Sequence, residues 1–255
     1  MTRQRLKDIA SLARKKGRVA HGQFLVEGVR SVEAAVAAGA PLVEVLVSHE
    51  AAEADRVAAL ADRAAAPVHR LPARDLDRVG DARTSQGVVA VASSVVRSAL
   101  GGTGGAVLAL DGVQDPGNVG ALVRTAAWFG VDAVVADEKT ADFETPKAVR
   151  ASMGGLWDLA LVRLPALAPA LDALAADGHA LWGADLGGTS VSEWAPGSRA
   201  VLVLGSEAHG LSADVAGRLR ERGGTVHVPG RAGRGGVESL NVGVAAGVLL
   251  ARWRG

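Results

Sequence analysis

The chain alternates short apolar runs with longer segments in which apolar residues recur every three or four positions. Some runs have the length of buried strands, such as LVEVLVS and AVLVLG. Other segments repeat apolar residues with the period of a helix, such as FLVEGVRSVEAAVAAGA and GNVGALVRTAAWFG. This alternation predicts an α/β fold. The continuous apolar strands of the second half are typical of a parallel sheet that is covered by helices on both faces.

A glycine-rich interruption divides this pattern into two domains. Residues 1–95 form the first predicted domain, and its opening segment RLKDIASLARKKG predicts a helix that stops at Gly17. Residues 96–105 contain four glycines and are expected to be a flexible linker. Residues 106–255 form the second predicted domain, which ends in an apolar helix directly after Ser239, Leu240 and Asn241.

Composition narrows the class of protein. The chain has 255 residues, of which 49% are hydrophobic and 22% charged, as expected for a globular protein. The absence of cysteine excludes disulfides, thiol catalysis and zinc–thiolate sites. No apolar run reaches the ~18 residues of a membrane span, and the charged N-terminus does not have the pattern of a signal peptide. We therefore expect a cytoplasmic protein.

The net charge of +1 hides an uneven distribution. The first 18 residues contain seven basic groups and one acid, a local charge of +6 that leaves −5 on the remainder. A basic end on a nearly neutral body indicates a polyanionic partner, although a solvated helix face would have the same composition.

Three polar, glycine-rich segments follow predicted strands of the second domain, where ligands of parallel sheets bind. The first, DGVQDPGNVGALVRTA, contains Asn118 at the start of a helix and Arg124 six residues later. Six residues span about 600° of helix, so the two side chains would lie on different faces, with Asn118 acting from the loop and Arg124 from the first or second turn. The second is LVLGSEAHGLS, and the third is VHVPGRAGRGGVESLNVG.

Each feature also has a structural interpretation. Arg124 could be an ordinary exposed side chain, the glycine loops could be plain connections, and Ser239 or Asn241 could cap the last helix. The sequence contains no phosphate-binding GxxxxGK[ST] loop, no GxGxxG dinucleotide motif and no GxSxG elbow. The six histidines are scattered without the spacing of metal ligands, so no metal site is expected.

Taken together, the three segments resemble the three motifs of the SpoU (TrmH-like) branch of the SPOUT RNA methyltransferases. The resemblance spans residues 106–254 and includes the order and spacing of the motifs. The matching segments are DGVQDPGNVGALVRTAAWFG, LVLGSEAHGLS and VHVPG…ESLNVGVAAGVLL. Residues 1–95 are similar to the ribosomal-protein-like substrate-binding domain that many members carry.

This resemblance implies a fold and a cofactor. The second domain would be an α/β knot, that is, a trefoil-knotted methyltransferase domain, preceded by a small α/β RNA-binding domain. The protein would be a homodimer that uses S-adenosyl-L-methionine to methylate a ribose 2′-hydroxyl of RNA. Matched position by position, the cofactor-binding residues would be Leu204, Gly205, Glu207, Gly210, Val228, Pro229, Ser239, Leu240 and Asn241.

The family's catalytic candidates correspond to Asn118 and Arg124, with support from Glu207, Ser239 and Asn241. A ribose hydroxyl must lose its proton before it attacks a methyl group, and a general base works best with a pKa near the operating pH. Arginine stays protonated in proteins. We therefore expect Arg124 to hold the adjacent phosphate as an electrostatic clamp, with the proton passing to that phosphate or to water.

The first domain would select the RNA. The expected phosphate contacts are Lys15, Lys16, Arg18 and Arg30, with Arg231 and Arg234 of the third segment. Ribosomal RNA of the large subunit is favoured over transfer RNA. The alternatives are a tRNA 2′-O-methyltransferase, an enzyme that methylates a base nitrogen, and a non-catalytic RNA-binding or ribosome-assembly protein of the same fold.

Overall fold

The computed structural model describes residues 1–51, 54–80, 86–102, 104–230 and 238–255. The chain forms two compact units: unit 1 comprises Met1–Val95 and Asp142–Asp158, and unit 2 comprises Val96–Ala141 and Leu159–Gly255. The sequence division assigns residues 142–158 to the second domain, whereas in the structure they cluster with unit 1. Within the described ranges, no helix is both long enough and apolar enough to cross a membrane.

Unit 1 is built on a four-stranded sheet in the order β1-β4-β2-β3. Strand β4 is antiparallel to β1 and β2, and β3 is parallel to β2. A core of aliphatic side chains from helices and sheet, including Ile9, Leu46 and Leu76, lies on one side. The elements are α1 Arg3–Ser11, α2 Lys15–His21, β1 Gln23–Glu27, α3 Val29–Ala37, β2 Leu42–Ser48, α4 Ala54–Arg63, β3 Val68–Leu71, α5 Ala73–Leu76, β4 Val88–Ser93 and α7 Pro146–Ser152, followed by a 3₁₀ turn at Gly155–Trp157.

The basic N-terminal segment folds as two helices rather than one. The prediction of a single helix ending at Gly17 is wrong, because Gly17 lies inside α2. A Cβ atom at this position would lie 2.1 Å from the carbonyl oxygen of Ser11. Gly17 therefore permits α2 to approach the end of α1, and it acts through close packing rather than as a helix stop.

The segment 142–158 is joined to the sheet of unit 1 by side-chain contacts. The Arg150 guanidinium lies 2.5 Å from a carboxylate oxygen of Glu27 at the end of β1. The rings of Phe24 and Trp157 stack with their centroids 5.8 Å apart. An ion pair and an aromatic contact, separated by several residues, thus fix this segment against β1.

Unit 2 is built on a six-stranded parallel sheet in the order β10-β8-β9-β5-β6-β7. This confirms the α/β architecture and the parallel sheet that the continuous apolar runs predict. The elements are β5 Ala106–Asp111, α6 Pro116–Trp128, β6 Ala133–Ala136, β7 Ala160–Arg163, α8 Ala168–Ala176, β8 Ala180–Ser190, β9 Ala200–Gly205, α9 Ala213–Arg222, β10 Gly223–His227 and α10 Val242–Arg254.

Helices α8 and α9 cover one face of this sheet. Their leucines and valines join alternate residues of the strands, such as Val107 and Val201, in one buried cluster. The intervening residues, such as Leu108 and Leu202, are also fully buried and point to the opposite face. Helix α10 contacts β9 and packs against α6.

Helices α6 and α10 lie side by side and run in the same direction. Their N-terminal ends meet where Asn241 donates a hydrogen bond to Asn118. At the other end, Arg254 of α10 donates to the carbonyl of Gly130, which follows α6, at 3.1 Å. A cation at the C-terminus of α6 also complements the helix dipole. This parallel pairing brings two helix N-termini to the same edge of the sheet.

Candidate active site

The loops that follow β5, β9 and β10 open at one edge of the sheet because the three strands are parallel. Leu110 of β5 is paired with Leu204 of β9, and β10 runs parallel to β8. We refer to the described parts of these loops, residues 112–118, 206–212, 228–230 and 238–241, as the carboxyl-edge loops. They contain the three motif segments of the sequence.

The first carboxyl-edge loop leads into α6 through a side-chain cap. A carboxylate oxygen of Asp115 accepts hydrogen bonds from the backbone N–H groups of Gly117, at 2.6 Å, and Asn118, at 3.0 Å. Pro116 occupies the first helical position, where its missing N–H costs no hydrogen bond. Asn118 is therefore the third residue of the helix rather than a loop residue, and its side chain is partly exposed beside the helix N-terminus.

Buried polar side chains fix the start of this loop. The Thr140 hydroxyl accepts from the backbone N–H groups of Gly112 and Val113, at 3.0 and 3.2 Å. A carboxylate oxygen of Asp137 also accepts from the Gly112 N–H, at 3.0 Å. Thr140 and Asp137 are at most 5% exposed. The buried side chains of Thr140 and Asp137 thus set the conformation at the start of this loop.

The second carboxyl-edge loop is a tight turn with Glu207 near its tip. Ser206 and Gly210 exchange two backbone hydrogen bonds, of 2.9 and 2.8 Å. Gly210 has a φ of +66°, which favours glycine. A Cβ atom on Gly205 would lie 2.3 Å from the carbonyl carbon of Gly210, so this position also requires glycine. The turn directs the exposed Glu207 toward α6.

The side chains of all three motif segments are joined by hydrogen bonds. The Asn118 Nδ2 group donates to Oε1 of Glu207 at 2.6 Å, and Asn241 Nδ2 donates to Oδ1 of Asn118 at 3.2 Å. The Oδ1 atom of Asn241 accepts from the N–H groups of Gly243, at 2.9 Å, and Val244, at 3.4 Å. Asn241 is therefore both the N-cap of α10 and a member of this network. We call Glu207, Asn118 and Asn241 the polar chain.

Arg124 lies in the third turn of α6, one turn later than the sequence predicts, because the helix begins at Pro116. Its side chain is exposed, and it makes no hydrogen bond or ion pair with any residue that the structure describes. It follows Asn118 by six residues, so the two side chains leave the helix in different directions. The structure thus gives Arg124 no structural partner that would explain a cation here.

Comparison with known proteins shows which family has this arrangement. The family model described as the SpoU rRNA Methylase family matches residues 105–251, more than half of the chain. The chain belongs to the SpoU rRNA methylase family. A second family model, the MRM3-like substrate binding domain, matches residues 3–90. The resemblance on which the sequence analysis rests is thereby confirmed.

Relatives of this SpoU protein match along nearly the whole chain. It is 32% identical to the 23S rRNA (guanosine(2553)-2′-O)-methyltransferase RlmP of Bacillus subtilis, over 99% of this chain and 96% of that protein. Among solved structures, a Porphyromonas gingivalis protein described as an RNA methyltransferase of the TrmH family superposes with a TM-score of 0.85 and 32% identity, covering 100% of this chain and 98% of that one.

A third relative was solved with its cofactor. The SpoU methyltransferase AviRb of Streptomyces viridochromogenes, in complex with AdoMet (S-adenosylmethionine), superposes with a TM-score of 0.84 and 27% identity, over 98% of this chain and 97% of that one. The fold of this SpoU protein is therefore the same as that of a methyltransferase that binds AdoMet.

The remaining predicted cofactor residues of this SpoU protein lie in or beside the carboxyl-edge loops. Ser239 and Leu240 are exposed directly before α10, and Val228 and Pro229 directly follow β10. Backbone groups of residues 228–230 and 238–240 form no hydrogen bond with the backbone of another described residue. Leu204 differs, since its side chain is buried in the sheet and only its backbone can reach a ligand.

One part of this edge was missed by the sequence analysis. Strand β8 continues beyond its pairing with β9, and its last residues pair with β10. Leu186 in this extension is 73% exposed, and Gly188 has a φ of +103°. The extension is polar and glycine-rich, so it lacks the apolar pattern of a strand. The Gly187–Gly188 pair was the signal that could have indicated an irregular strand.

The predicted RNA contacts of unit 1 do not share one environment. Lys15 and Lys16 are exposed at the start of α2, and Arg30 is exposed in the first turn of α3. The expectation for Arg18 is corrected: its side chain is 5% exposed and pairs with Asp142 at 2.7 Å. Arg18 also donates to two backbone carbonyls, so its guanidinium is used inside the fold.

Two predicted RNA contacts of the third segment, Arg231 and Arg234, lie outside the described residues. Within the ranges that are described, no cluster of three or more His, Asp or Glu side chains could hold a metal ion.

Proposed function

We propose that this protein transfers the methyl group of S-adenosylmethionine to a ribose 2′-hydroxyl of large-subunit ribosomal RNA. The observation that carries this proposal is the polar chain, which joins the three motif segments at one edge of the parallel sheet. The RlmP relative, whose name specifies 2′-O-methylation of guanosine 2553 in 23S rRNA, supports the choice of reaction and of RNA.

The carboxyl-edge loops have the chemistry that this cofactor requires. Adenosine presents an apolar ring with hydrogen-bonding edges, and the loops offer the exposed side chain of Leu240 beside backbone groups of residues 228–230. The Glu207 carboxylate complements the positive charge of the cofactor. We propose that the cofactor is held by Gly205, Gly210, Val228, Pro229, Ser239, Leu240 and Asn241, by Glu207, and by the backbone of Leu204. The cofactor supplies an electrophilic methyl group.

The residues of the chain would position and activate the ribose. Arg124 would hold the phosphate next to the target nucleotide and stabilise negative charge that develops on the 2′-oxygen. The hydroxyl proton would pass to that phosphate or to water. Asn118 and Glu207 would orient the ribose, and Ser239 and Asn241 would keep the edge of the site in place. This assignment is supported by the exposure of Arg124, which pairs with none of the residues that the structure describes.

We further propose that unit 2 contains the trefoil knot implied by the family. Strand β10 lies at the edge of the sheet, whereas α10 begins beside Asn118, which follows the interior strand β5. The described elements that precede and follow residues 231–237 therefore lie at different positions along the carboxyl edge, which supports the proposed knot.

We also propose a homodimer formed through α6 and α10. Trp128 of α6 is 83% exposed, and Val244 and Val248, one turn apart on α10, are 53% and 39% exposed. Three exposed apolar side chains on two adjacent helices favour a protein partner. Sedimentation of the wild-type chain and of a Trp128→Lys/Val248→Lys variant should give a dimer and a monomer, respectively.

Unit 1 would select the RNA. The match to a substrate binding domain supports this role, as does the exposure of Lys15, Lys16 and Arg30. We propose that this unit is ribosomal-protein-like, and that Arg231 and Arg234 add to the RNA surface. A protein that modifies ribosomal RNA works where ribosomes are assembled, so we propose a cytoplasmic location.

The proposal is tested by transfer of labelled methyl from S-adenosylmethionine to unmodified 23S rRNA, to transfer RNA and to matched fragments with 2′-deoxy sugars. We expect label in 23S rRNA, first at the guanosine equivalent to position 2553, and none when that sugar lacks its 2′-hydroxyl. Label in transfer RNA alone would reject ribosomal RNA as substrate. Label that survives the 2′-deoxy substitution would indicate methylation of a base.

A further inference from the structure

Helix α1 and the α5 turn of unit 1 enclose a groove with a volume of about 610 Å³. We call it the basic groove. One wall is α1, and the other is α5 with the turn that follows it. The lining residues are Arg3, Leu6, Lys7, Ala10, Arg74, Asp75, Arg78 and Val79.

Both walls of the basic groove carry pairs of cations. Arg3 and Lys7 are four residues apart on α1, and Arg74 and Arg78 are four residues apart on the opposite wall. On α1, like charges at this spacing repel each other and destabilise the helix. Asp75 is the single acid among the described residues that line the groove, so these residues together carry a net charge of +3.

The cations of the groove also form few ion pairs with the described carboxylates. Arg3, Lys7 and Arg74 form no ion pair with any described residue, and the contact of Arg78 with Asp75 is long, at 3.6 Å, and exposed. Four other arginines of unit 1 form ion pairs with carboxylates: Arg5, Arg18, Arg56 and Arg150. Arg5, on another face of α1, donates to Glu44 at 2.7 Å and to a neighbouring glutamine.

A second paired arginine of unit 1 shows the effect that a partner has. The Arg56 guanidinium hydrogen-bonds to the Glu33 carboxylate and lowers the pKa of that group. Arg3, Lys7 and Arg74 have no such carboxylate partner among the described residues, and Arg78 has only its long contact with Asp75. Their charge is therefore available to an anion that comes from solution.

The floor of the groove is apolar and firmly held. Val79 is buried, and Leu6 packs on the same core cluster. Helix α1 is capped by Thr2, whose hydroxyl accepts from the N–H of Arg5 at 3.1 Å. Two rows of cations along an apolar floor suit an extended polyanion better than a single small anion.

We propose that the basic groove binds the sugar–phosphate backbone of the RNA substrate and positions it on unit 1. This inference rests on the proposed function. It adds Arg3, Lys7, Arg74 and Arg78 to the candidate contacts, none of which the motif resemblance indicates. Contacts of this kind fix orientation and affinity but carry no sequence information.

The test compares the wild-type chain with a Lys7→Gln/Arg74→Gln variant, which removes one cation from each wall. Binding to 23S rRNA transcribed in vitro is measured between 50 and 200 mM salt. Each lost phosphate contact lowers the slope of log affinity against log salt by about 0.7–0.9. We expect a slope lower by about 1.5, a higher KM for RNA, and unchanged kcat and AdoMet affinity.

Two control variants make the result specific. The Arg63→Gln/Arg70→Gln variant removes the same charge from exposed positions of unit 1 outside the groove and should keep the wild-type slope. The Lys7→Arg/Arg74→Lys variant keeps the charge and should bind like wild type. Equal slopes for the groove variant and the wild type would overturn the inference, as would an equal loss in the Arg63→Gln/Arg70→Gln variant. Failure of the wild-type chain to methylate any RNA would instead reject the proposed function.

Discussion

The carboxyl-edge loops of unit 2 and the basic N-terminal helices of unit 1 hold their polar side chains in opposite ways. At the carboxyl edge, Glu207, Asn118 and Asn241 bond to each other, and two helix N-termini fix their positions. On α1, Arg3 and Lys7 line the basic groove and form no ion pair with any described carboxylate. The first arrangement supplies precise geometry, as a methyl transfer needs. The second supplies charge, which suffices for binding a phosphate backbone.

Two arginines define this contrast most sharply. Arg18 belongs to the basic segment but is buried and paired, whereas Arg124 belongs to the ordered site but is exposed and has no partner among the described residues. A charged residue that pairs with a carboxylate inside the fold therefore has a structural role, whereas an exposed residue without such a pair is available to a ligand.

The largest effect is expected for Arg18→Ala. The change leaves the carboxylate of Asp142, which is 22% exposed, without its cation, and removes the donor to one buried and one partly buried carbonyl. Loss of one partner of a buried pair costs about 3 kcal/mol of unfolding free energy. Urea denaturation measures this loss, and the exposed Lys15→Ala change should stay within about 0.5 kcal/mol of wild type. A stable Arg18→Ala variant with a reduced RNA salt slope would contradict the structural role.

Arg124→Ala should affect catalysis without affecting stability. Removal of one preorganised group that stabilises developing charge lowers kcat by about 10²- to 10³-fold. Single-turnover methyl transfer measures this loss, with AdoMet affinity and the denaturation midpoint expected to be unchanged. Arg220→Ala, which removes an exposed arginine from α9, is the matched control.

The Arg124→Lys variant tests how this side chain acts. Lysine keeps the charge but lacks the planar fork that holds two phosphate oxygens. We expect it to recover only part of the lost rate. Full turnover at neutral pH in the lysine variant would contradict the electrostatic clamp.

Asn118→Ala should have an intermediate effect, because it breaks the polar chain at its centre. A hydrogen bond to a charged group contributes about 1.5–3 kcal/mol, so kcat/KM should fall about 10- to 100-fold. Gln114→Ala in the same loop is the control, since Gln114 is exposed and forms no contact with the polar chain. If Asn118 and Glu207 act together, kcat/KM of the double alanine variant should be little lower than that of the Asn118→Ala variant. If the fold-losses of the two single variants instead multiply in the double variant, the two residues act separately.

Much of this architecture is encoded locally. The strand predicted from LVEVLVS corresponds to Leu42–Ser48, and AVLVLG corresponds to Ala200–Gly205, since an apolar run of this length predicts a buried strand. The meeting of the segments after β5 and β9 follows from their being parallel strands. Asn118 and Asn241 are 123 residues apart, so no local pattern could reveal their hydrogen bond.

The failures of the sequence analysis also have physical causes. The burial of Arg18 depends on Asp142, which is 124 residues away, and on the packing of α2 that Gly17 permits. The extension of β8 is stabilised by its pairing with β10 rather than by apolar side chains. In both cases the structure is determined by contacts between residues that are distant in sequence, which the local sequence pattern does not indicate.

The smallest effect on methyl transfer, and the finest distinction, is expected at Asn241. This residue caps α10 through Oδ1 and joins the polar chain through Nδ2, so two substitutions can separate the two roles. Asn241→Ala removes the cap and should cost about 1 kcal/mol of unfolding free energy, with a loss of activity. Asn241→Asp keeps the oxygen that caps the helix, and a carboxylate at a helix N-terminus is favourable.

In the aspartate variant, however, the amide of Asn118 lies between two carboxylates. Its Nδ2 group can donate to Glu207, but its Oδ1 atom then faces a carboxylate that has no hydrogen to donate. We expect Asn241→Asp to unfold like wild type in urea but to transfer methyl groups about tenfold more slowly, because one hydrogen bond is replaced by a repulsive contact. Wild-type turnover in this variant would reduce Asn241 to a helix cap. An equal loss of stability in both variants would show instead that the amide group of Asn241 is needed to begin α10. The geometry of the carboxyl edge would then depend on the helix rather than on the polar chain.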